Sequence, residues 1–240
     1  MSVGGDVCMN DSIAPSAFSR IMTAVLIAAV VFGVFSFFRL VVDHIFTRSL
    51  IAPIIGFEPE TARMLSFFLA GVAGIATQFL LERGREDTLK ACFALNLPRV
   101  GTFVIWGLIG IVFGVAYDMV SRITGKNMAP DHLVVCWQVS PMVFLLTFVM
   151  IMPVFEELFF RGLLFRHLTL AFPRYFVPAL ITSSMWAALH HQYGGTDVGV
   201  VFLLGMLLAF ARMQTQSIFV CVEIHILLNL MTTVETALVV

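Results

Sequence analysis

Charge is what this 240-residue sequence has least of: 12% of its side chains are Asp, Glu, Lys or Arg, while 60% are hydrophobic. A soluble domain carries roughly a quarter charged residues, so both a soluble globular domain and a disordered chain are excluded. So much apolar surface has no core large enough to hide in, and only a bilayer takes it. The 14 Lys and Arg nearly cancel the 15 Asp and Glu, leaving a formal charge of -1. No basic field exists to hold a phosphate backbone, and nucleic acid is set aside as a partner. The four cysteines, Cys8, Cys92, Cys136 and Cys221, form no CxxC pair, which leaves neither a zinc knuckle nor a disulfide framework. They read as small apolar residues. The N-terminus lacks the basic start of a secretory signal, and no small-residue cleavage site follows the apolar run Ile21 to Phe38, so that run reads as an uncleaved first span. No period-2 alternation supports a β-barrel. No internal repeat or low-complexity segment divides the chain, and residues 1–240 read as one integral membrane domain.

What is there is a series of long apolar runs. A helix crossing about 30 Å of hydrocarbon at 1.5 Å per residue needs close to 20 residues. Ile21 to Phe38, Met64 to Leu81, Val100 to Tyr117 and Leu133 to Phe155 meet that length. Tyr175 to Thr196 does too, although it carries His190 and His191. Val198 to Ala211 is short, and Met213 to Val234 is interrupted by Glu223, His225 and Asn229. The expectation is an all-α polytopic transmembrane bundle with about seven spans, since polar segments also cross when packed inside a bundle. The connection Glu82 to Arg99 carries Arg83, Arg85, Lys90 and Arg99, and the positive-inside rule puts it, with the N-terminus, in the cytoplasm. The Arg39 to Arg63 connection also carries three arginines, and its IAPIIGFEPE stretch reads as an irregular loop or short interfacial helix. Gly107, Gly110 and Gly114 line one side of the third run, which points to close helix packing within the monomer rather than a dimer seam.

An ionisable side chain inside a bilayer costs a few kcal/mol on insertion scales, about 3, and so needs a partner or a water-filled cavity. Three clusters of such residues occur, all in the second half. In the first, Pro153-Val-Phe-Glu156-Glu157-Leu-Phe-Phe-Arg161, Glu157 and Arg161 are four apart and pair on one helix face. Glu156 is turned by about 100° and is left for another partner. Pro153 removes a backbone hydrogen bond and loosens the preceding turn. In the second, Trp186 and His190 share a face, so the indole can wall the imidazole. In the third, Glu223-Ile-His225-Ile-Leu-Leu-Asn229, His225 and Asn229 stack on one side of an apolar helix. Each cluster alone has a bland explanation, an interfacial ion pair or a helix-to-helix hydrogen bond. Together, from three helices, they are most economically one shared site. A carboxylate and two imidazoles in an enclosed, hydrated pocket suit activation of water, and an amide and an imidazole suit stabilisation of an oxyanion. The chemistry indicated is hydrolysis within the membrane. There is no HExxH, no GxSx serine loop, and Tyr117-Asp118 has no GxGD beside it.

The order EExxxR, aromatic-xxxH and HxxxN, met as Glu156-Glu157-Leu-Phe-Phe-Arg161, Trp186-Ala-Ala-Leu-His190 and His225-Ile-Leu-Leu-Asn229, resembles the CPBP family (CAAX protease and bacteriocin-processing) of intramembrane proteases, which includes the type II CAAX prenyl endopeptidases. The likeness runs through Phe160-Arg161-Gly162-Leu163 and, more loosely, Gly205 and Ser217-Ile218, and residues 133–230 form its core. Trp186 stands in place of the usual phenylalanine, and Gln216 where a glycine commonly precedes the serine; neither departure is expected to touch a catalytic group. The resemblance implies an intramembrane endopeptidase in which Glu156 and His190 activate water, His225 and Asn229 stabilise the oxyanion, and Glu157 and Arg161 support them. It implies a membrane peptide or protein substrate, prenylated or not, and a site open to the cytoplasm; the short length and the lack of a eukaryotic targeting signal point to a bacterial inner membrane. Glu156, His190 and His225 also make an alternative zinc ligand set; a metal-independent mechanism is favoured, because Asn229, a poor zinc ligand, shares the face of His225. Two rivals stay open. One is a non-catalytic immunity or scaffold protein of the same fold. The other is a proton-coupled transporter, which intramembrane Glu and His also mark but which lacks here the repeated halves common in transporters.

Overall fold

A computed structural model describes residues 16–47, 54, 56, 58–84, 89–123, 131–191 and 195–239. Among these residues all regular structure is helical. In chain order the helices are α1 (Ala17–Thr47), α2 (Pro59–Glu82), a short α3 (Leu89–Phe93), α4 (Val100–Ile123), α5 (Asp131–Val139), the long α6 (Pro141–Ala171), α7 (Phe176–Leu189), α8 (Gly195–Thr215) and α9 (Ile218–Val239). Six of them, α1, α2, α4, α6, α8 and α9, are long and apolar enough to cross a membrane, and α7 is a shorter apolar helix. The chain is an all-α polytopic bundle and an integral membrane protein. Much of the IAPIIGFEPE connection, Arg85 and Cys8 lie outside the described residues.

The span boundaries depart from the apolar runs wherever charge is satisfied internally. The fourth apolar run ends at Phe155 because two glutamates follow, yet α6 continues to Ala171 with Glu157 and Arg161 fully buried inside the bundle. At its other end α6 starts at Pro141, whose fixed φ and missing N–H suit a first helical position, so residues 133–139 belong to a separate helix. The fifth run is cut short at Leu189, where His190 leaves helical geometry at φ -99° and ψ 20°. The short sixth run lengthens to Gly195–Thr215, because Asp197 accepts a hydrogen bond from Tyr117 (3.2 Å) and Arg212 is held near the far end.

Lipid-facing and packed sides are sharply divided on α4. Val104, Ile105, Leu108 and Val112 are 54%, 59%, 56% and 68% exposed, a stripe at helical spacing that faces the acyl chains. On the other side Gly107, Gly110 and Gly114 meet α9, where added Cβ atoms would lie 3.2 Å from Glu223 Oε1, 2.9 Å from Ile224 Cγ2 and 2.7 Å from Leu228 Cδ2. The glycine stripe is thus used within the monomer, as expected from sequence. Gly110→Val should lower the unfolding free energy by about 1–3 kcal/mol, because the stiff Ile224 cannot yield. Thermal unfolding in detergent reads this as a lower Tm; an unchanged Tm would reassign the stripe to contact with another chain.

The centre is aromatic. Phe35 stacks on Phe155 at 4.8 Å, Phe32 meets Phe159 edge-on at 4.8 Å, and Phe93 fits against Gly162, where a Cβ would lie 2.9 Å from its ring. Within α6 the winding widens to π-helix over Leu145–Ile151 and again over Leu158–Leu164. The first widening has a local cause and a consequence. Met152 N–H bonds to Thr147 O, five residues back, so Phe148 O would next be served by residue 153. That residue is Pro153, which has no N–H. Phe148 O is left for a donor from another helix.

Candidate active site

Glu156, Glu157 and Arg161 lie on α6 at and just after the join between its α-helical and second π-helical segment. Glu157 and Arg161 make the expected pair, with Arg161 Nη1 donating to Glu157 Oε1 at 3.0 Å, both residues fully buried. The same oxygen accepts from His225 Nδ1 at 2.8 Å, which ties α9 to α6 at that point. Arg161 is further held by Gly205 O, 3.4 Å from Nη2, and by the Trp186 ring, 4.5 Å below its guanidinium carbon. Gly205 permits this by its small size: a Cβ there would lie 2.9 Å from Ser183 Cβ on α7.

Trp186 is the hub. Its ring contacts His190 at 5.1 Å and His225 at 5.3 Å, both edge-on, and its Nε1 donates to Glu156 Oε2 at 2.7 Å. The structure therefore gathers Glu156, His190 and His225 from α6, the end of α7 and α9 around one buried indole. The expectation that the tryptophan replacement leaves catalytic groups untouched is corrected here, since a phenylalanine has no N–H to give Glu156. Its four-residue spacing to His190 identified the wall but not the donor, because the distance to Glu156 is set by helix packing rather than by spacing.

Hydrogen-bond partners assign the imidazole tautomers. His190 Nδ1 lies 2.9 Å from Trp186 O; a carbonyl only accepts, so Nδ1 carries the hydrogen and the neutral ring has its lone pair on Nε2. His225 Nδ1 donates to a carboxylate in the same way, leaving Nε2 for chemistry. Asn229 is on the face of His225, and its Nδ2 donates to Phe148 O at 2.7 Å, the carbonyl orphaned by Pro153. One amide hydrogen of Asn229 is thereby committed to the scaffold and one remains. Glu223 lies apart from the cluster, against Gly107 of α4, and Asp118 pairs with Arg122 at 2.8 Å.

Among the described residues no group of three or more His, Cys, Asp or Glu side chains stands in a metal-holding arrangement.

Sequence reasoning missed a second buried polar cluster. Glu82, at the end of α2, has Oε1 3.0 Å from His167 Nε2 and accepts from Cys92 Sγ at 3.4 Å through Oε2. These residues lie 10 and 85 positions apart from Glu82 along the chain, so no helical spacing advertises them. Gln78, one turn before Glu82, donates to Phe155 O at 3.3 Å, another α6 carbonyl served from outside.

No curated protein and no solved structure matches the chain. Residues 138–231, which contain Glu156, Arg161, Trp186, His190, His225 and Asn229, match the family model described as type II CAAX prenyl endopeptidase Rce1-like, so the segment that builds the site is similar to the family its three motifs resemble.

Proposed function

We propose that the protein is a CAAX-type intramembrane endopeptidase that hydrolyses a peptide bond of a membrane-associated or prenylated substrate with water activated by Glu156 and His190. The observation that carries the reading is the convergence of Glu156, His190 and His225 on Trp186, within a segment matched to an endopeptidase family. Glu156 has one oxygen held by the indole and the other available to take a proton from water. The Nε2 lone pair of His190 is the second acceptor. As the carbonyl carbon becomes tetrahedral, His225, steadied by Glu157, and the remaining amide hydrogen of Asn229 stabilise the oxyanion. Arg161 neutralises Glu157, so the second carboxylate serves orientation.

The test compares membrane-derived peptides of cells carrying the wild-type chain and Glu156→Gln. Accumulation of one or more uncut membrane peptides in the variant, at equal protein level, is expected; identical peptide profiles and full function would favour the non-catalytic relative. Cleavage by purified protein is expected to survive strong chelators, and loss restored only by zinc would overturn the metal-independent route.

The positive-inside rule and the resemblance each bear on orientation. Tyr175, Asn96 and Gln216 border one cavity, which collects residues 91–96 and the starts of α7 and α9 at one end of the bundle. His190 ends α7, 14 residues on, roughly 21 Å away at 1.5 Å per residue. His190 and residues 91–96 of the basic connection therefore lie at opposite ends of the bundle, and the positive-inside rule and a cytoplasm-facing site make opposite assignments. With the site toward the cytoplasm of a bacterial inner membrane, a single cysteine at the exposed position His191, in a chain whose other cysteines are alanine, is protected from an impermeant maleimide in intact cells and labelled after permeabilisation. Labelling in intact cells would invert the topology.

A further inference from the structure

At the end of the bundle away from His190 a cavity of about 320 Å³ opens between the α3 region, the end of α6 and the α8–α9 turn. Its polar lining consists of Arg166, Arg212, Asn96, Gln216, Thr169 and Tyr175, and among the described residues no Asp or Glu borders it. The guanidinium groups of Arg166 and Arg212 border one space. Arg212 is only 5% exposed. Its Nε donates to Arg161 O at 3.2 Å and its Nη1 to Gln216 Oε1 at 3.3 Å, and among the described residues it makes no ion pair. A guanidinium has five N–H donors, so three remain for something in the cavity. A buried cation without an anion is costly, and a bound anion is the direct remedy.

The rim is built and not merely a gap between helices. Asn96 Nδ2 donates to Gln216 O at 2.9 Å and Ile218 N to Ala94 O at 3.1 Å. Ala94 and Gln216, both bordering the cavity, have φ of 51°, the left-handed conformation that side chains other than glycine and asparagine rarely adopt. Both strained backbones sit where the loop folds back over the cavity. The place is also right for a headgroup, since the ends of α6 and α8 and the start of α7 meet there, where spans leave the hydrocarbon.

We propose that this cavity binds a phosphate-bearing anion of the membrane interface, the headgroup of an anionic phospholipid. Arginine matches phosphate oxygens in a bidentate fork, amide and hydroxyl donors complete the shell, and the volume exceeds what a bare phosphate needs and leaves room for an esterified group. Basic pockets between spans take lipid headgroups by this chemistry. Through Arg212 Nε the bound anion is one hydrogen bond from the backbone of Arg161, so occupancy stiffens the strand of contacts that holds Glu157.

The site stands on geometry independent of the proposed hydrolysis, and its test reads binding alone. Full-length protein, stripped of lipid in a nonionic detergent, is titrated with phosphatidylglycerol, with phosphatidylcholine of the same acyl chains, and with inorganic phosphate, following thermal unfolding. Phosphatidylglycerol is expected to raise Tm and phosphatidylcholine to leave it unchanged. Arg166→Gln, at the rim, should weaken the phosphatidylglycerol response about tenfold in concentration, the equivalent of one lost charge-assisted contact. Tyr175→Phe, which removes a lining hydroxyl, gives a second, milder variant. A shift of equal size with inorganic phosphate supports the same anion chemistry with the free ion as ligand. Equal shifts from both lipids, or an unchanged phosphatidylglycerol response in Arg166→Gln and Tyr175→Phe, overturn the proposal.

Discussion

Arg161→Ala is expected to cost about 3–5 kcal/mol, enough to remove most folded protein from the membrane, because it leaves a carboxylate buried without its counter-charge. Glu157 is fully buried, its Oε1 shared between Arg161 and His225 and its Oε2 without a hydrogen-bond partner among the described residues. The loss is compounded because Arg161 also spans to Gly205 O on α8 and lies over the Trp186 ring, so one side chain joins α6, α7 and α8. Arg161→Lys keeps the charge and loses the fork, and its Tm should fall between those of wild type and Arg161→Ala. The double change Glu157→Leu with Arg161→Met removes both charges and should be less destabilising than Arg161→Ala alone, since no orphaned ion remains. Equal Tm values for Arg161→Ala and wild type would show that the pair contributes no net stability and that the bundle is held elsewhere.

That pair was legible in the sequence because it is local. Residues four apart on a helix meet whatever surrounds them, and the same rule correctly brought Trp186 to His190. The rule fails across helices. It gave no sign that Glu157 would share its oxygen with His225, 68 positions away, or that Trp186 would reach Glu156, 30 positions away. Pro153 was visible as a breaker of hydrogen bonds, but which carbonyl it would orphan depended on the π-helical register before it. Only that register makes Phe148 O the one that Asn229 serves. Span boundaries failed for an electrostatic reason: counting charges ends an apolar run at Glu156, whereas neutralisation inside the bundle lets α6 run on to Ala171. Gln216 takes a φ of 51° that a glycine adopts without strain, which accounts for the glycine common at that place in the motif and not for the glutamine here.

Glu156→Gln should reduce peptide cleavage by about 10²–10⁴-fold, the usual contribution of a positioned general base. The exchange is close to isosteric, and the glutamine carbonyl still accepts from Trp186 Nε1, so the cluster holds its shape while losing its proton acceptor. Tm should stay within about 1 kcal/mol of wild type on the free-energy scale, as for other changes that create neither a cavity nor a buried ion. Separating chemistry from scaffold requires Trp186→Phe alongside. Phenylalanine keeps the ring against His190 and His225 and under Arg161 but cannot donate to Glu156, so it isolates one hydrogen bond. A bond to a charged acceptor contributes about 1.5–3 kcal/mol, and only the part felt differently by the transition state reaches kcat. Because the family commonly carries phenylalanine there, the expected loss is no more than about tenfold, in kcat and not in KM, by the arithmetic of 1.4 kcal/mol per decade. Trp186→Ala removes the shared wall as well and should lower both Tm and cleavage. If Glu156→Gln retained more than a tenth of wild-type cleavage while Trp186→Phe lost more, the base would lie elsewhere in the cluster, with His190 the next group to replace.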